Sequence, residues 1–190
     1  VIIFSHKGQQ YRDSELWPVD YELPQTEETQ ALLPAQPNSR KAIAFSRLDP
    51  KSLQLTAEAA RIDSAPDMEL LLHLGWRQPG LAENKAVAVQ IDGESSEQLS
   101  GTLKLTLSRY LHINTDLIYR EPLSEESLDQ QVGTPNMFSP SEEPAALSFE
   151  PRFQAYHMKQ SRRMRSRELH YLDHPLFGMA ILVTPYEEEK

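Results

Sequence analysis

The chain predicts an α+β fold: a mostly antiparallel sheet of about five to six strands with one covering helix and long Pro/Glu-rich loops. Three observations carry that expectation. Apolar and polar residues alternate with a period of two over several stretches, the pattern of a strand with two unlike faces. A helical period appears with any strength in one place, around Leu55, Ala59 and Ile62. Prolines outnumber glycines, 14 to 7, and collect with Glu and Gln between the periodic stretches, where little apolar area is available to offset the entropy of ordering the backbone. At 190 residues and 39% hydrophobic content the chain can bury one substantial core, so residues 1–190 read as a single domain with long loops at about 5–48 and 121–151.

The first element is VIIF, Val1 to Phe4, β-branched and aromatic and therefore a strand, with part of it expected to precede the first residue. A polar stretch follows, in which Pro18 forces Trp17 toward an extended backbone and pins its ring to the surface. Pro24 to Pro37 reads as an excursion with little packing. Asp49 and Pro50 supply an N-cap and a first helical residue, and the helix they open should end near Asp63, before Pro66. From Met68 to Gln78, Leu70, Leu72, Leu74 and Trp76 share one face while Glu69, His73, Gly75 and Arg77 share the other, which predicts a strand dry on one side and wet on the other. Ala86 to Ile91 is a short strand ending in an Asp92-Gly93 turn.

The most regular alternation runs from Leu103 to Tyr119. Its apolar face is interrupted by Arg109, so either a bulge turns that guanidinium outward or a carboxylate waits for it inside. Seventeen residues exceed a typical strand, which favours a bend near Ser108 and Arg109. Glu121 to Pro151 is rich in proline and acid and lacks periodicity, as a long mobile loop does. Phe153 to Leu172 returns as a strand, and Asp173, His174 and Pro175 turn the chain into a last strand, Phe177 to Thr184. There Met179, Ile181 and Val183 face one side and Ala180 and Leu182 the other, as in a central strand. The final EEEK is a solvated tail.

A formal net charge of −9 argues against nucleic acid as a partner, because duplex affinity comes from releasing counterions with a basic surface. Without cysteine there is no disulfide, thiolate metal site or cysteine nucleophile. No run approaches the roughly 18 apolar residues of a spanning helix, so no membrane span is expected. A first residue of Val suggests a fragment or a processed product, in which case a signal peptide would lie ahead of it.

Against the acidic background, five of the 19 Lys and Arg crowd between Lys159 and Arg167. Strand alternation would set Arg163, Arg165 and Arg167 on one face and Arg162 on the other, and three like charges in a row need counter-anions. Glu168 and Asp173 could serve that need as ion-pair partners, with Arg109 and Arg162 in similar structural roles. His170, Asp173 and His174 invite a metal reading, but they straddle a strand and a turn and lack an obvious further donor, so no metal and no cofactor is expected. The chain contains no G-x-S-x-G, H-E-x-x-H or S-x-x-K and no glycine-rich phosphate loop, and Arg neighbours would keep Glu168 too ionised to act as a general acid. The remaining kit is one for recognising an anion or sugar: His73 and Arg77 on one strand, Tyr110 and His112 on another, and Arg163, Arg165, Arg167 and His170 near the end.

Three blocks in order, LLLHLGWRQP (Leu70 to Pro79), SRYLHINTDLIY (Ser108 to Tyr119) and QSRRMRSRELHYLDHPLFGM (Gln160 to Met179), resemble the CsiV family of periplasmic peptidoglycan-binding proteins of gamma-proteobacteria. VIIF and the Trp17-Pro18 pair resemble that family's opening strand and following segment. The resemblance implies a non-enzymatic factor, exported to the periplasm, that binds peptidoglycan and supports a class A penicillin-binding protein through that synthase's outer-membrane lipoprotein activator. It transfers no catalytic residue. Two other readings stay open on the residues alone: a protein-protein adaptor with little glycan affinity, suggested by the acidic loops, and a metal-dependent hydrolase.

Overall fold

The computed structural model describes residues 1–8, 29–35, 43–93, 98–122 and 153–186. In chain order their strands are β1 (Ile2–His6), β2 (Thr29–Gln30), β3 (Ser46–Arg47), β4 (Met68–His73), β5 (Trp76–Arg77), β6 (Ala88–Asp92), β7 (Leu99–Leu107), β8 (Leu111–Pro122), β9 (Phe153–Met164), β10 (Leu169–Asp173) and β11 (Phe177–Leu182). One helix, α1 (Thr56–Asp63), lies between β3 and β4. The expected antiparallel character and single covering helix are both present. The strands are shorter and more numerous than expected, and they divide between a four-stranded sheet ordered β10-β11-β1-β4, a five-stranded sheet ordered β2-β6-β7-β8-β9 and the small β3-β5 pair. Among the described strands β2 pairs with β6 in parallel and the others pair antiparallel, with one isolated parallel bridge between Leu33 and Ser46.

The two large sheets bury their facing sides against each other. Ile3, Leu71, Phe177, Met179 and Ile181 from one meet Val89, Leu103, Ile113, Leu117 and Met158 from the other in a single apolar cluster. The other face of the four-stranded sheet is covered by α1, where Ile2, Phe4 and Ala59 are buried with Leu55, Ile62 and Leu70 packed around them. Strand β1 is thus dry on both sides, with Ile2 and Ile3 both at 0% exposure. Its continuous apolar run follows from that position, and each isoleucine contributes about 1.5–3 kcal/mol by burial.

Strand β4 is also covered on both faces, which corrects the expectation of one wet side. A register shift opposite Ile3 and Phe4 lets Leu71 turn toward the sheet-sheet core while Leu70 turns toward α1. The alternation from Met68 to Gln78 does not continue as one strand: it breaks at Leu74 and Gly75, and β5 pairs with β3 instead. The helix start also differs. Asp49 does cap, its Oδ1 accepting from the Lys51 amide at 2.9 Å, but it caps a separate 3₁₀ turn, Pro50–Ser52. Leu55 then adopts a left-handed φ of 63° and α1 begins after it with no side-chain cap. Leu55, Ala59 and Ile62 still form the buried stripe.

The long alternation from Leu103 to Tyr119 is a hairpin, not one strand. Its turn, Ser108 to Tyr110, reverses the chain so that Leu107 faces Leu111 and Leu103 faces Thr115. Partners have the same parity in this register, so the apolar pattern passes through the turn in phase and conceals it. Similarly, Phe153 to Leu172 is two strands that leave one sheet for the other through a turn at Arg165–Glu168. Strand β11 is central between β10 and β1, as its two apolar faces predict. Residues 24–37 pack more than expected where described: β2 extends the larger sheet, and Leu32 packs against the core. Trp17, the 123–152 part of the acidic stretch and the EEEK tail lie outside the described residues.

Polar side chains bridge one margin of the sandwich. On β9, Nε2 of Gln160 donates to the Asp173 carbonyl at 2.7 Å and Nη1 of Arg162 donates to the Tyr171 carbonyl at 2.8 Å, both at the exposed sheet edge. Those carbonyls belong to β10, so two side chains tie the margin of one sheet to that of the other.

At the corner after β10, the His174 ring lies 5.0 Å from that of Phe177, and its Nδ1 accepts from the Leu176 amide at 3.2 Å. Burial lowers its pKa to about 4, with nearby His157 acting the same way and Asp173 opposing. An unfolded histidine titrates near 6.5, so between these values the unfolded chain binds more protons than the folded one. The stability contribution is complete above pH 6.5 and is lost as pH falls toward 4. For a half-buried ring, solvent screening reduces the loss to about 1–2 kcal/mol. Denaturant titrations at pH 7 and pH 4.5 should show a smaller pH-dependent loss in His174→Asn, which keeps an acceptor for Leu176, than in the parent; equal losses would mean that the ring is charged in the folded protein.

Candidate functional site

At one end of the sandwich the sheets part and leave a groove of about 1110 Å³. Its floor is the end of the core: Leu105, Leu111, Ile113 and Met164 from the larger sheet, Leu74 and Ile181 from the smaller. Its walls come from connections, because the β7-β8 turn, the β9-β10 turn, the β4-β5 break and the stretch after β11 all meet here.

Each connection brings a cation or a ring to the rim. The β7-β8 turn presents Arg109 and Tyr110, the β9-β10 turn presents Arg165 and Glu168, β5 presents Trp76 and Arg77, and Tyr186 follows β11. Arg77 lies over the Tyr186 ring with its guanidinium carbon 4.0 Å from the centroid. Tyr110 is held between two arginines, Arg163 at 4.4 Å and Arg109 at 5.5 Å. Trp76 donates from Nε1 to Oε1 of Gln78 at 2.7 Å, which fixes its indole beside the rim.

Among the described residues carboxylates are scarce at this rim. Arg165 and Glu168 approach to 3.5 Å with side chains 75% and 53% exposed, a contact that solvent makes nearly worthless. Among the described residues, neither Arg77 nor Arg109 has a carboxylate within 4.0 Å. Arg109 is therefore neither buried nor paired with Glu168; the two share one groove.

Of the residues the sequence singled out, Arg77, Arg109, Tyr110, Arg165 and Glu168 line the groove. His170 supports it: its Nε2 accepts from the Arg165 amide at 3.0 Å, bracing the turn that carries that arginine. Arg163 supports it through Tyr110. His73 is not on an open sheet face; its Nε2 donates at 2.8 Å to the carbonyl of Gln54, a wall residue. Arg167 does not share a strand face with Arg163 and Arg165, because β9 ends at Met164 and Arg167 takes a left-handed φ of 65° in the turn, its amide donating to the Val183 carbonyl at 2.8 Å.

His112 lies elsewhere, across from Arg163 on the outer face of the larger sheet. That face also carries Asp116, which accepts from His157 Nε2 at 2.7 Å and meets Lys159 at 3.4 Å. Arg162 serves the sheet margin, and Asp173 accepts the Tyr171 hydroxyl at 2.8 Å. Trp76 and Tyr186 were missed as site residues. Trp76 reads as a core position in the alternation, and Tyr186 has as its only signal an aromatic ring between an apolar strand and an acidic tail.

Among the described residues no group of three or more His, Asp or Glu converges as a metal ion would require, and no helix is long and apolar enough to cross a membrane. An antiparallel sandwich whose end opens into an apolar groove ringed by arginines and aromatic rings has the surface of a binding module. The model of the family described as peptidoglycan-binding protein, CsiV, matches residues 1–186, and the chain belongs to that family. Searches of the curated proteins and of the solved structures return no match.

Proposed function

We propose that this chain is a non-enzymatic, periplasmic accessory protein that holds peptidoglycan in the end groove and supports cell-wall synthesis by a class A penicillin-binding protein, through that enzyme's outer-membrane lipoprotein activator. The supporting observation is the groove rim, where among the described residues Arg77, Arg109 and Arg165 stand with one carboxylate, Glu168, over an apolar floor. Peptidoglycan offers carboxylates and small apolar groups on one polymer, and a guanidinium fork binds carboxylate with defined geometry. In this reading residues 1–190 act as a single domain, Arg163 and His170 position the ring and the turn that face the ligand, and the protein reaches the periplasm by means of a signal peptide.

Co-sedimentation with purified sacculi tests the core of this reading. The protein is expected in the pellet at low salt and to move toward the supernatant as salt rises, because exposed charge contacts are screened. Full recovery in the supernatant at low and moderate salt would reject peptidoglycan as the ligand.

A further inference from the structure

Resting on the assignment of the groove to peptidoglycan, we infer that it takes the peptide stem and not the sugar chain: free stem carboxylates sit on the arginine rim and alanyl methyl groups on the apolar floor. Three features favour the stem. Sugar rings bind flat against open aromatic faces, but here a guanidinium already covers one face of each rim tyrosine, Arg77 on Tyr186 at 4.0 Å and Arg163 on Tyr110 at 4.4 Å, and leaves less ring for stacking. Among the described residues the rim holds three arginines against one glutamate in a chain of net charge −9, an excess that a neutral glycan would leave unused. Beneath it lies a floor of leucine, isoleucine and methionine, to which a sugar's hydroxyl groups would present unsatisfied donors, whereas methyl groups would shed water there.

The geometry also separates the two kinds of contact. Arg109 stands on the β7-β8 turn and Arg165 on the β9-β10 turn, while Arg77 comes from β5 of the small β3-β5 pair. The three arginines come from separate elements, so a ligand with several carboxylates can engage more than one of them. A stem with carboxylates on successive residues spans the groove from one wall to the other, and the volume of about 1110 Å³, just above the range of roughly 300–1,000 Å³ usual for small ligands, leaves room for several residues.

The test uses the full chain and three soluble competitors against sacculus co-sedimentation: a disaccharide-tetrapeptide, the same compound with its carboxylates amidated, and the peptide-free disaccharide. The tetrapeptide should displace the protein at a concentration about tenfold or more below that needed for either of the others. The R77Q/R109Q double variant should lose about tenfold in affinity for the tetrapeptide and none for its amidated form. Equal competition by the amidated compound, or equal losses on both ligands, would overturn the carboxylate assignment. Undiminished binding to sacculi stripped of their peptides by an amidase would overturn the stem assignment and leave peptidoglycan binding intact; no binding to any sacculus would overturn both.

Discussion

Replacing Arg77, Arg109 and Arg165 together by glutamine is expected to weaken sacculus binding about 30-fold while leaving the fold intact. The magnitude follows from rim exposure: an exposed charge contact is worth well under 1 kcal/mol, about threefold in affinity, and three such contacts on independent walls multiply. The three side chains belong to two separate turns and a strand, β5, so no one of them positions another. Stability should change little, because Arg165–Glu168 is the one ion pair lost among the described residues and it is long and solvated. Co-sedimentation at fixed salt, with a thermal melt of the same sample, reads both quantities. Binding within twofold of the parent would move the site away from this groove, and a collapsed melt would show the arginines to be structural.

The largest effect on stability is expected at Gly101. This residue lies in β7, paired on one side with Ile91 and on the other with Leu117, and has a φ of 146° that a side chain rarely tolerates. A Cβ there would collide with the Asp116 carbonyl oxygen and lie 2.8 Å from the Leu117 Cα, both backbone atoms of β8 that cannot move without opening the ladder. Gly101→Ala should therefore cost about 4 kcal/mol or more, by overpacking and backbone strain together. For a chain of this length that lowers Tm by about 8–16 °C. A melt within 2 °C of the parent would show that β7 and β8 can separate at this point without penalty. Because β7 and β8 carry the turn with Arg109 and Tyr110, the variant should also lose the groove when it unfolds.

What could be read in advance depended on whether a face had one environment along its length. β11 was legible because Met179 and Ile181 meet the second sheet while Ala180 meets the helix-side cluster, and both faces are apolar throughout. The β7-β8 hairpin was not, since Ser108-Arg109-Tyr110 lacks the glycine or asparagine that usually marks a reversal and the register keeps the pattern in phase. The same error displaced Arg109, which interrupts an apolar run only if the run is one strand. A period of two places Arg163, Arg165 and Arg167 on one face, but it stops applying once the chain leaves β9 at Met164.

The linear order of residues determined the antiparallel class, the single amphipathic helix, the lack of any thiol chemistry and the kinship with a peptidoglycan-binding family, because each depends on local period, composition or motif. Tertiary structure alone decided that Arg77, Arg109 and Arg165, far apart in the chain, border one groove. That outcome depends on which connections share an end of the sandwich. Strand order and the crossing from β9 in one sheet to β10 in the other settle it, and both arise from long-range pairing that no local pattern encodes.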